Sequence, residues 1–203
     1  MTSSQYSDVR QLYKLAIAYD SFWAVRKSCD NLISAGTQPG DPSYYVTAVG
    51  IACTYARPFA NNARIGMLSS RLVPVQFKWL HSSLIELRNK GFAHTDSSGQ
   101  LRMTEVRLVF TGTHIRIFSS RPAFNPEVLP HIKALADLLA QKVQESRRAF
   151  QDRIVNIIAP QFTRADVGKE FELNVEDEKG RMVVATTDPI EKKYPVVRPL
   201  SDL

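Results

Sequence analysis

The segment Arg88-Asn89-Lys90-Gly91-Phe92-Ala93-His94 gathers a guanidinium, a carboxamide and an imidazole into one short stretch. These groups suit the metal-free cleavage of a phosphodiester. Such a reaction needs a base for the ribose 2′-hydroxyl, a counter-charge for the phosphate, and a proton for the departing 5′-oxygen. His94 could serve as base or acid near neutral pH. Arg88 keeps its charge and presents a fixed fork of donors to a phosphate or its transition state. Asn89 could hold the imidazole or a phosphate oxygen. Lys90 and Arg57 are cations that could bind the same substrate. Asp96 could orient His94 as a carboxylate partner, or simply help the turn formed with Thr95 and Ser97. The motif also has a structural use, in which Arg88 complements a helix dipole and His94 caps free carbonyls.

Spacing constrains the chemical reading. Six steps along a regular α-helix rotate a side chain by about 600°, which leaves Arg88 and His94 about 120° apart. Bringing them together requires a helix distortion at Gly91, a bent path for the Arg88 side chain, or a second chain that completes the site.

The elements that must position these residues follow from periodicity. From Asp8 to about Ala35, apolar residues at Leu12, Leu15, Tyr19, Phe22, Trp23 and Ile33 recur at intervals of three and four, with Ser7 as N-cap and Gly36 as terminator. Asp41 and Pro42 open a second helix that runs to Arg57 and stops at Pro58. Its apolar residues cover more of its circumference, which suits a central place. A third helix starts near Pro74 and continues through Leu80, Leu84 and Leu87 into the motif. Alternation then replaces the helical period: Val106, Leu108 and Phe110, a Thr111-Gly112-Thr113 break, and Ile115 and Ile117 read as a β-hairpin. Asn125-Pro126-Glu127 begins a fourth helix extending to about Ile158. Its length implies a bend near residues 144–148, or a second half that leaves the bundle. A further hairpin is expected in 170–185, around the turn Asp177-Glu178-Lys179-Gly180. The expected organisation is a helical domain over 1–160, with the hairpin inserted at about 101–120, followed by a C-terminal hairpin and extended tail over 161–203.

Four helices with this motif at the end of the third resemble the HEPN superfamily. Leu87 to Asp96 looks like its RN-x4-H signature and is closest to the AbiU2-like branch. The likeness covers residues 7–158 in layout. It implies a mainly α fold, a HEPN-like four-helix bundle carrying the hairpin between helices 3 and 4 and the small C-terminal hairpin. It also implies an endoribonuclease that needs no metal or cofactor, acts on RNA, and works as a homodimer whose two motifs line one cleft. Members serve in toxin-antitoxin or phage-defence systems, so an antitoxin or other protein partner is implied. By the same resemblance Arg88 and His94 are catalytic and Asn89 helps to orient them. Some members carry a tyrosine two residues after the histidine as a modification site; Asp96 stands there instead. A module of this fold that binds RNA, a nucleotide or a protein without cleaving is the alternative.

Composition agrees with an anionic partner. The chain has 203 residues, enough for one substantial core, and a net charge of +6. Between Arg57 and Arg121 the cations far outnumber the anions Glu86, Asp96 and Glu105. Lys142, Arg147, Arg148 and Arg153 form another basic group, read as a solvated helix face or a phosphate contact. Cys29 and Cys53 lack metal or redox spacing and are expected to be buried, reduced thiols. His114 and His131 have no second ligand at metal spacing. His81 reads as a surface or packing residue, and Phe22, Trp23, Phe77 and Trp79 as core. No apolar run reaches the length of a membrane span, and the first residues lack a secretory pattern, so the cytoplasm is expected.

Overall fold

The computed structural model describes residues 3–61, 66–92, 105–110, 112, 114–120, 125–158, 171–174 and 183–186. The fold is mainly helical. Among the described residues there are four α-helices, α1 (Ser3–Ala35), α2 (Pro42–Ala56), α3 (Lys78–Glu86) and α4 (Leu129–Ile158). Two antiparallel pairs of strands accompany them: β1 (Glu105–Phe110) with β2 (Ile115–Ser120), and β3 (Phe171–Asn174) with β4 (Val183–Thr186). The chain divides into two compact units. One spans residues 11–151; the other combines residues 1–10 with 152–203.

The core of the first unit rests on a seven-residue repeat. On α1 the buried residues are Leu15, Ala18, Phe22, Val25, Cys29 and Leu32, and on α4 they include Leu129, Ile132, Ala136, Leu139 and Val143. Both series alternate steps of three and four, the spacing that lets two helices keep one seam in contact. Each fully buried leucine or isoleucine contributes about 1.5–3 kcal/mol of burial free energy. Two ion pairs flank the seam, Arg26 with Asp137 at 3.0 Å and Lys133 with Asp30. Rising numbers on α1 meet falling numbers on α4, so the helices run antiparallel. The Lys133 ammonium beside Asp30 holds that carboxyl below its ordinary range. Ser21, the buried polar residue of α1, satisfies its hydroxyl by donating to the Ile17 carbonyl at 2.8 Å.

Several sequence expectations change here. Helix α1 begins at Ser3, so Ser7 lies inside it and does not cap it. Trp23 is 48% exposed and Trp79 55%, whereas Phe22 is buried and Phe77 packs partly against the core. The seam selects Ala18 and Val25 over the larger Trp23 and Ile33, because those smaller residues stand at its repeat positions. Helix α2 is one-sided: Tyr44, Ala48, Ile51, Ala52 and Tyr55 are buried, yet Val46 is 67% exposed. Cys53 lies off the buried stripe and is exposed.

Local chemistry sets the helix ends. Gly36 adopts φ +60 after α1, a conformation that other residues resist. The Asp41 carboxylate accepts from the Ser43 amide at 2.7 Å and Pro42 occupies the first turn, which together start α2. Pro58 does not end the helical path abruptly, since Arg57–Phe59 continue as a 3-10 turn. Among the residues of α4 whose burial is described, Val143 is the last buried one, and Phe150 packs partly against the core. β1 and β2 pair from Glu105↔Ser120 to Phe110↔Ile115, and Gly112 in their turn has φ +88. In the second unit β3 and β4 pair from Phe171↔Thr186 to Asn174↔Val183. The turn Asp177–Gly180 lies outside the described residues. Among the described residues, no helix is long and apolar enough to cross a membrane.

The two thiols differ in a measurable way. Burial pushes the Cys29 thiol up to about 12, which leaves it protonated and shielded. A thiol-reactive dye should label Cys53 promptly in the native protein and Cys29 only after denaturation. Prompt labelling of both, read by mass spectrometry of the tryptic peptides, would contradict the seam.

Candidate functional site

The helix carrying the motif does not stay regular. Val75–Phe77 form a 3-10 turn, Lys78–Glu86 the α-helix α3, and Leu87–Phe92 a π-helical turn. The change begins where the Leu87 amide is shared between the Leu84 and Ser83 carbonyls. Inside a π-helix the amide bonds five residues back, which widens the turn and re-aims its side chains. The distortion therefore spans Arg88 to Phe92 rather than Gly91 alone. Helix α2 packs against both α3 and this widened turn.

Arg88 and Asn89 are both exposed, and the Arg88 guanidinium donates to Asn89 Oδ1 at 2.9 Å. That bond uses the carboxamide oxygen as acceptor and does not use the NH₂ donors of Asn89. Asn89 lines an open groove of about 360 Å³ together with His81, Ser82, Ile85 and Glu86. Lys90 belongs to the widened turn, but its side chain lies outside the described residues, as do His94 and Asp96 entirely. Arg57 is exposed in the 3-10 turn after α2 and is absent from the described lining of the groove. Of the six residues singled out by sequence, Arg88 and Asn89 are thus seen together.

The basic group on α4 is partly committed to packing. Lys142 Nζ donates to the Leu72 carbonyl at 3.1 Å, and the Arg147 guanidinium sits over the Tyr19 ring at 5.6 Å. Both contacts favour a structural use over a free phosphate-binding face.

His81, expected as a surface or packing residue, packs against an aromatic group and has a hydrogen-bond partner that the sequence did not reveal. Its Nδ1 lies 2.9 Å from the hydroxyl of Tyr55, a side chain with 0% exposure on α2. Its ring meets Phe59 edge-on, with centroids 4.6 Å apart at 71°, and Tyr55 at 5.8 Å and 67°. Phe22 completes this aromatic group from α1, 5.9 Å from both Tyr55 and Phe59. His81 also lines a second cleft of about 450 Å³ with Phe59, Met67, Leu68, Ser69, Ser70 and Ile85. A backbone bond of 2.8 Å from the Leu68 amide to the Pro58 carbonyl ties the segment 66–70 to the end of α2, which sets Leu68 near Phe59. A usable signal was present in the spacing. Residues 81, 85 and 89 fall four apart, so His81, Ile85 and Asn89 share one helical face.

Comparison with family models, with curated proteins and with solved structures finds no match for this chain.

Burial fixes the protonation state of the aromatic pair. It pushes the Tyr55 phenol well above its ordinary range and lowers the His81 imidazole below its ordinary 6.5. Both groups are therefore neutral at pH 7. Because the folded-state value of His81 is depressed, its neutral environment costs nothing above pH 6.5. Stability then falls as pH drops from 6.5 through the folded value, where the unfolded chain binds more protons. A titration of the His81 ring carbon resonances should give a midpoint below 6.5. A midpoint at or above that value would show that the ring is not desolvated.

Proposed function

We propose that this chain is a HEPN-type, metal-independent endoribonuclease of the cytoplasm, acting as a homodimer in a toxin-antitoxin or phage-defence system. The observation that carries the reading is the RN-x4-H motif, whose first two residues are joined by a hydrogen bond on a widened helical turn, with Asn89 lining a groove.

In this reading an imidazole removes the proton of a ribose 2′-hydroxyl. The 2′-oxygen attacks the adjacent phosphorus, the P–O5′ bond breaks, and the products are a 2′,3′-cyclic phosphate and a 5′-hydroxyl. Arg88 balances the charge that accumulates on the phosphoryl oxygens. Asn89 holds Arg88 through its carboxamide oxygen and turns its NH₂ toward the substrate. His94 takes or returns the proton, and its counterpart in the second protomer performs the complementary transfer. Lys90, Arg57 and Asp96 are assigned to the RNA-binding surface around these groups.

The test is cleavage of mixed RNA in the presence of a chelator by the wild type, Arg88→Ala and His94→Ala. Cyclic-phosphate ends should form with the wild type, and each substitution should lower the rate by about 100-fold or more. Equal rates for all three proteins would overturn the proposal. Absence of cleavage combined with tight RNA binding would favour the non-cleaving module.

A further inference from the structure

The second cleft has a lining unlike that of the groove at Asn89. Four of its residues are apolar, Phe59, Met67, Leu68 and Ile85, and its polar groups are His81 and the hydroxyls of Ser69 and Ser70. No charged side chain occurs among this described lining. Within this described lining a phosphate or a metal ion meets no counter-charge. A flat, uncharged molecule with apolar faces and a polar edge fits better, and a volume of about 450 Å³ lies within the range of small-molecule pockets.

The polar edge of the cleft is held from behind. The Tyr55 hydroxyl, buried on α2, finds its partner in His81 Nδ1. With the phenol donating, the neutral ring carries its proton on Nε2, so His81 offers a donor on the side away from Tyr55. Phe59 limits tilting of the ring by its edge-on contact. Ser69 Oγ accepts from the Arg71 amide at 3.2 Å, and its own hydroxyl proton is not used in that bond. In that tautomer His81 presents a donor beside the apolar walls, with hydroxyls that can adapt.

His81 and Ile85 line both this cleft and the groove that contains Asn89. A ligand seated in the cleft is therefore one helix face away from the motif. We propose that the cleft formed by residues 66–70, Phe59 and α3 is a pocket for one RNA nucleobase, in which His81, positioned by Tyr55, donates to the base edge. The proposal rests on the RNA-cleaving reading for the identity of its ligand. Bases suit it because each has two apolar faces for contact with aromatic and aliphatic walls, and an edge rich in acceptors. The sugar and phosphate leave the pocket across Ile85 toward Asn89 and Arg88, so the base is held beside the scissile position and contributes sequence preference.

The experiment uses the full chain and the four uncharged nucleosides, with ribose 5-phosphate as a control for backbone binding. In amide-detected NMR titrations at least one nucleoside should bind saturably and shift resonances of residues 66–70 and 81–85, while ribose 5-phosphate should not. Met67→Trp fills the cleft from an exposed position, and His81→Phe removes the donor; each should weaken that binding by tenfold or more. The pocket is overturned if no nucleoside shifts these resonances, or if the folded Met67→Trp protein binds as the wild type does. Cleavage of RNA is measured on the same samples. Cleavage with no nucleoside response removes the pocket and keeps the endoribonuclease, whereas a nucleoside response without cleavage keeps the pocket and removes the endoribonuclease.

Discussion

A phenol removed from water must place its hydroxyl, and in this fold Tyr55 does so on the ring of His81. An unmade bond at such a site costs about 1–3 kcal/mol, so the contact is a strong constraint on how α2 and α3 sit together. Together with the burial of Leu80 and Leu84 it ties one face of α3 to the interior. With His81 facing Tyr55 and Phe59, the helical repeat carries Ile85 to the adjoining groove, which Asn89 also lines from the widened turn. The motif residues are thereby presented on a face chosen by a buried pair two helical turns earlier.

The remaining elements support that pair from two sides. The seven-residue seam between α1 and α4 brings Phe22 against both Tyr55 and Phe59. The return of the chain at Leu68 to the Pro58 carbonyl closes the other side and builds the second cleft. Regular α-helix then stops at Glu86, and the widened turn over Leu87–Phe92 takes over while still packing against α2. A π-helical turn sacrifices the better geometry of the α-helix, and such turns occur frequently at functional sites. Here it coincides with the residues that chemistry had already singled out.

The number and order of the helices were legible in the sequence because apolar spacing, Asp41-Pro42 and Gly36 are local signals. The buried face of α1 was legible at Leu15, Phe22 and Cys29 but not in full. Tyr19, Trp23 and Ile33 draw attention by size, but the partner helix selects Ala18 and Val25 through a repeat visible only when both helices are aligned. For the same reason Cys53 reads as core in an apolar stretch and is exposed in the fold. The motif was legible as a set of residue types, Arg88 and Asn89 above all. The role of His81 was hidden because its partner Tyr55 lies twenty-six residues away on another helix, and a lone histidine in a helix gives no sign of such a bond. The π-helical turn was likewise invisible, since nothing in Leu-Arg-Asn-Lys-Gly-Phe fixes the hydrogen-bond step; the need for a distortion was apparent, but not its extent.

The account depends most directly on the coupling of Tyr55 to His81, and a double-mutant cycle in chemical denaturation measures it. Tyr55→Phe, His81→Phe and the double variant are compared with the wild type at neutral pH. The contact predicts that the double variant loses less stability than the two single variants together, by about 1 kcal/mol. Additive losses, agreeing within about 0.3 kcal/mol, would contradict it and detach the placement of the motif from the aromatic core.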